Sequence, residues 1–151
     1  MVGDRNEIIT WLLDKDVETK FEIKEYKQKR SINANNYCWV LLQKIADVLH
    51  STKEEIYRTY IKEKGIFRPI TINNEAVNTI CHSWEKQGIG WLYDIVHKGN
   101  TTTDLLLYYG TSSYNTKQMS EFVDYVVEEA KLLGIETLTP RQLYELKESW
   151  K

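Results

Sequence analysis

The chain has 151 residues with two Cys, seven Gly and two Pro, a length that fits one compact domain and a composition that excludes disulfide scaffolds, collagen-like repeats and low-complexity classes. With 22 acidic against 20 basic residues and a formal charge of −2, the chain as a whole carries no electrostatic footprint for nucleic acid. Its N-terminus lacks the basic and apolar regions of a secretory signal, and no window reaches the roughly 18 apolar residues of a membrane span; the expectation is a cytoplasmic protein with reduced thiols and no membrane partner.

In chain order, Asp4 and Glu7 are spaced as a capping box ahead of the stripe Ile8, Ile9, Leu12 and Leu13, which predicts a helix over about 4–15. Lys20 to Tyr26 begins as an alternation with Phe21 and Ile23 on one face, the pattern of a half-buried strand. Ser31 then caps a long helix to about His50, buried along Ala34, Cys38, Leu41, Leu42, Ile45 and Leu49. A second helix restarts after Ser51 and Thr52 and stops at Gly65, which suits a glycine C-cap.

Ile66 to Ile72 is a short extended piece broken by Pro69. Val77, Ile80, Cys81 and Trp84 fall at helical spacing and predict a helix ending near Gly88 or Gly90. Residues 91–97 and 104–109 flank Lys98-Gly99-Asn100-Thr101 as a β-hairpin with a loop longer than two residues. From Asn115 a helix with the apolar face Met119, Phe122, Val123, Val126, Ala130 and Leu133 runs to Gly134. Thr139-Pro140 opens a last helix carrying Leu143, Leu146 and Trp150. The sum is one α+β domain over 1–151, a small antiparallel sheet of one strand (20–26) plus the hairpin, packed with five or six helices. The hairpin is apolar on both faces, Leu92 and Val96 on one and Trp91, Tyr93 and Ile95 on the other. A homodimer would bury the second face, unless helices 74–87 and 140–150 cover it.

Charge is patterned along the chain. Residues 1–19 set Arg5 and Lys15 against Asp4, Glu7, Asp14, Asp16 and Glu18, a net of −3. Residues 20–30 set Lys20, Lys24, Lys27, Lys29 and Arg30 against Glu22 and Glu25, a net of +3. Such a segment is either a solvated face or a contact for a polyanion.

No catalytic or metal centre is legible. Cys38, Cys81, His50, His82 and His97 include no pair at zinc-ligand spacing. Gly110-Thr111-Ser112-Ser113 sits between a strand and a helix, as a nucleophile elbow does, but Tyr114 occupies the place of the second glycine. Ser112 and Ser113 there read as a turn and cap, or as a place where free amides hold a phosphate. No Walker motif and no dinucleotide fingerprint is present, so no cofactor is expected.

The remaining constellation is Tyr26 to Trp39, in which Lys27, Lys29 and Arg30 precede a helix start rich in Asn33, Asn35 and Asn36. Asn is a mediocre helix former, so this cluster has a local backbone role or a ligand. The bases and the helix N-terminus suit phosphate, and Tyr26 and Tyr37 suit stacking on unpaired bases, with Trp39 reading more simply as core.

This stretch resembles the signature of the phage NinB (Orf) recombination proteins: Arg30, Ser31, Asn35 and Trp39 match in register, and Ile32 and Asn33 are close replacements. Ala34 departs from the pattern, and Asn36-Tyr37 replace a basic pair. Gly110, Ser112, Ser113, Glu121, Phe122, Gly134 and Ile135 are similar to the family's downstream motif, so the resemblance spans about 20–138. It implies a dimeric α+β protein of the bacterial host cytoplasm that binds single-stranded DNA without catalysis and helps to load a recombinase, with a host single-strand-binding protein or recombinase as partner. Lys27, Lys29, Arg30, Ser31, Asn33, Asn35, Asn36, Tyr37, Ser112 and Ser113 are the candidate DNA contacts. The alternative is a phage protein that binds and inhibits a host defence protein, in the manner of an anti-CRISPR.

Overall fold

The computed structural model describes residues 1–25 and 32–148, with residues 32–34 described by backbone alone. Lys27, Lys29, Arg30 and Ser31, and Trp150 of the last predicted helix, therefore lie outside the described residues.

The fold is α+β, with three layers. A bundle of α2 (Ile32–Leu49), α3 (Lys53–Lys64) and α5 (Thr116–Leu132) lies on one side of an antiparallel sheet, and α4 (Val77–Glu85) lies on the other. The sheet is β1 (Phe67–Asn73), β2 (Leu92–Lys98) and β3 (Thr102–Tyr108) in the order β1-β3-β2. Helix α6 (Pro140–Glu148) packs on α2.

Each helix is built by the local chemistry of its sequence. Asp4 and Glu7 form a reciprocal capping box on α1 (Arg5–Leu13), and Asn115 and Gln118 do the same on α5. The bundle core is Cys38, Leu41, Leu42, Ile45 and Ala46 of α2, Ile56, Tyr57, Tyr60 and Ile61 of α3, and the predicted stripe of α5. Ala46 takes the place expected of Leu49, which is half exposed because α2 ends there. His50 follows with φ 54°, and the Ser51 amide donates back to the Ala46 carbonyl at 2.9 Å, a left-handed stop made without glycine.

One expectation needs correction. The predicted strand over 20–26 is absent: Lys20–Glu25 has no regular structure, and Tyr26 lies outside the described residues. Phe21 instead packs edge-on against Trp11 of α1, ring centroids 5.3 Å apart, so its apolar side is met by a neighbouring helix and not by a sheet. The third strand is the Pro-interrupted piece, with Phe67 opposite Tyr108 and Asn73 opposite Thr102. The Tyr109 amide donates to the Ile66 carbonyl at 3.0 Å, which makes Ile66–Tyr109 a hydrogen-bonded pair. Pairs alternate along an antiparallel ladder, so Pro69–Leu106 is a non-bonded pair and the proline nitrogen faces away from β3. An edge strand tolerates that.

Gly65 caps α3 as expected, with ordinary extended dihedrals (φ −74°, ψ 173°). Its lack of a side chain serves packing, since a Cβ there would lie 2.7 Å from Tyr114 Oη and also overlap the Ile61 carbonyl.

The hairpin falls as expected, with Val96 an extra residue between the pairs Ile95–Leu105 and His97–Asp104. Asn74 holds its tip: the Asn74 amide donates to the Gly99 carbonyl at 3.0 Å, while Asn74 Oδ1 accepts the hydroxyl of buried Thr103 at 2.6 Å. Leu105 and Leu107 are buried, and Trp84 of α4 donates its indole N–H to the Tyr108 carbonyl at 2.9 Å. Helix α4 thus covers part of the second apolar sheet face within the chain, while Ile95 of that face stays exposed.

Candidate functional site

One cleft of about 440 Å³ opens where the bundle meets the sheet. Asn35 and Trp39 enter it from the first turns of α2, and Tyr57 enters from α3. The loop 87–91 supplies the facing wall, and Gly110, Thr111 and Ser112 complete the rim.

The walls are aromatic and braced. Trp39 lies against Tyr57, ring centroids 4.9 Å apart, and Tyr57 meets core Phe122 edge-on at 6.1 Å. Opposite, Trp91 is packed with Trp84 at 5.0 Å and Tyr109 at 5.5 Å. Tyr57 Oη accepts the Thr111 N–H at 3.0 Å and lies 2.8 Å from Thr111 Oγ1, which ties α3 to the turn.

Two glycines set the shape. A Cβ on Gly90 would stand 2.6 Å from Tyr57 Oη, and one on Gly110 would stand 2.6 Å from Trp91 Nε1. Both rings occupy space that any other residue would fill.

Among the described residues the lining contains no charged side chain. Its side-chain polar groups are the amides of Asn35 and Gln87, the hydroxyls of Tyr57, Thr111 and Ser112, and the indole N–H groups of Trp39 and Trp91. Among the described residues, neither Asn35 nor Gln87 spends its side-chain amide on a protein hydrogen bond. Flat apolar walls with neutral donors and acceptors suit an uncharged, planar, hydrogen-bonding group. The described residues include no group of three or more His, Cys, Asp and Glu placed to hold a metal ion.

The structure brings two expected site residues together, Asn35 and Ser112, which are far apart in sequence and share this cleft. Others go elsewhere. Asn36 is exposed on α2 and does not line the cleft. Tyr37 is half-buried against the core, and its hydroxyl accepts the Leu138 N–H at 3.0 Å, so it anchors the segment before α6. Ser113 turns its hydroxyl to the Gly110 carbonyl at 2.8 Å. Asn33 lies in α2, with its side chain outside the description.

The amides of the 110–114 turn are largely spent: Thr111 N–H goes to Tyr57, Ser113 N–H to Gly110 and Tyr114 N–H to Thr111. They do not form the open phosphate cradle that the sequence allowed. Trp39, read as core, is a cleft wall that is only partly buried.

Tyr57, Gln87 and Trp91 were not singled out from sequence. The available signal was Gly88-Ile89-Gly90-Trp91, where two glycines beside a tryptophan mark backbone passing close to a ring. No family model, no curated protein and no solved structure matches the chain, so the cleft is read from its own residues.

Proposed function

We propose that this chain is a non-enzymatic single-stranded DNA-binding protein that takes an unpaired base into the aromatic cleft. One observation carries the reading: Trp39 and Trp91 wall a neutral, open cleft at the start of α2, the helix that the basic segment Lys27–Arg30 precedes in sequence. Stacking on aromatic faces and neutralisation of phosphates are the two parts of single-strand binding. A base held in a duplex cannot enter, so duplex DNA is the weaker ligand. The resemblance of Arg30-Ser31, Asn35 and Trp39 to the NinB signature supports a place in recombination, as a mediator that assists recombinase loading.

A gel shift with single- and double-stranded oligonucleotides at low and physiological salt tests this. The single strand should shift, with a slope of log affinity on log salt near −2, from about three phosphates at ~0.7 each. Charge reversal of Lys27, Lys29 and Arg30 should abolish the shift with an unchanged circular dichroism spectrum. A triple variant that binds as the parent does, or a parent that binds no oligonucleotide at low salt, overturns the reading.

A second reading, capture of a host protein, is favoured by one feature. Leu13 is 82% and Val17 99% exposed beside α1, which has no buried residue. Apolar surface of this kind is available to a protein partner.

A further inference from the structure

We infer that the cleft selects purines over pyrimidines and reads a single base through the side-chain amides of Asn35 and Gln87; this rests on the single-strand reading above.

Two features of the lining point the same way. The first is the pair of amides. Asn35 comes from α2 and Gln87 from the loop beyond α4, so they stand on different elements around one opening. A primary amide presents one donor and one acceptor side by side, the match for a base edge that shows the complementary pair.

Two such amides ask for two such edges on one ligand. Adenine has them, N6–H with N7 and the other N6–H with N1. Guanine has them as well, O6 with N1–H and N2–H with N3. Cytosine has one, and thymine has two only by sharing its single N3–H. A purine therefore satisfies both side chains, whereas a pyrimidine leaves one without its pair.

The second feature is the area of the walls. Trp39 and Trp91 are the largest side chains in the lining, and a two-ring base covers more of an indole face than a one-ring base does. The absence of any charged residue among the described lining residues fits this assignment. Among the described residues no Arg or Lys lines the cleft to single out guanine, so the two amides accept both purines.

The experiment uses the full chain and follows intrinsic tryptophan fluorescence. Oligothymidine is compared with the same strand carrying one central adenine, one central guanine or one central abasic site. Variants Asn35→Leu, Gln87→Met and the double variant are run beside the parent. Both positions are exposed, so the fold should be retained, as circular dichroism will check.

The expected result is at least about fivefold tighter binding of either purine-bearing strand than of oligothymidine. That preference should vanish in the double variant, whose binding of the purine-bearing strands falls further than its binding of oligothymidine. Equal binding of all strands overturns the inference and leaves single-strand binding standing. A preference that survives in the double variant overturns the role given to the two amides. If the parent binds none of the strands at low salt, the single-strand reading fails first and this inference fails with it.

Discussion

Tyr114 and Ile66, 48 residues apart, share a hydrogen bond that finishes the sheet: the Ile66 N–H donates to Tyr114 Oη at 2.9 Å. The same hydroxyl donates to the Tyr109 carbonyl at 3.2 Å, so one phenol stands in for the last rung between β1 and β3. Tyr114 is itself buried in the bundle core, against Phe122 at 6.1 Å, so the ring couples bundle and sheet.

Tyr114→Phe should therefore cost more than the average hydroxyl. It leaves a half-buried N–H and a carbonyl short of a partner, an expected loss of about 1–2 kcal/mol. Urea unfolding followed by circular dichroism measures it. The exposed Tyr144→Phe should leave the midpoint within about 0.5 kcal/mol of the parent. Equal midpoints for the two variants would show that the hydroxyl carries no part of the sheet.

Gly90→Ala tests the construction of the cleft. The new methyl would meet Tyr57 Oη at 2.6 Å, where the phenol is held by Thr111. The turn or the ring has to move, at an expected cost of about 1–3 kcal/mol. Tryptophan emission should shift as Trp39 loses its packing against Tyr57. Gly134→Ala is the control for dihedral strain alone, because that glycine has φ 74° and nothing near its missing Cβ.

Much of the fold was legible because its determinants are local. Capping at Asp4, Thr52 and Asn115 and the apolar stripes of α4 and α5 are read within a few residues. Phe21 and Ile23 misled because alternation reports a half-buried side, not its partner. A strand needs a second strand, and Trp11 met Phe21 first. Pro69 misled in the opposite sense, since its cost depends on whether its nitrogen faces a neighbour, and sheet order decides that. The cleft was half legible. Asn35 stood out because asparagine is costly in a first helical turn, whereas Tyr57 and Trp91 carry no local mark and only chain topology places them around one opening.

The protein should lose stability in alkali. Burial raises the Cys38 thiol from 9.0 to about 12, and burial together with Glu129 and Glu63 raises the Tyr60 phenol from 10.0 to about 12. Both groups hold their protons more tightly when folded. Their contribution is complete below the unfolded values and falls as pH rises, from about 9 for the thiol and about 10 for the phenol, until about 12. The urea midpoint should thus decline across that window, and Tyr60→Phe should make the decline shallower. At pH 8 the native Cys38 should resist a disulfide reagent that labels it at once in urea. Rapid labelling of native Cys38 would contradict its burial.

The two borders of the sheet have a consequence for how copies of this chain meet. On β1 the backbone groups of Phe67, Pro69, Thr71 and Asn73 point outward, and the middle of that row has no N–H to offer. On β2 the extra residue at Val96 breaks the spacing that a docking strand would have to match. Neither border can template an added strand along its length, so the sheet stays at three strands however crowded the solution. Concentrated protein should resist ribbon-like aggregation, and any assembly of several chains must use side-chain surfaces, leaving the backbone ladder as it is in one molecule.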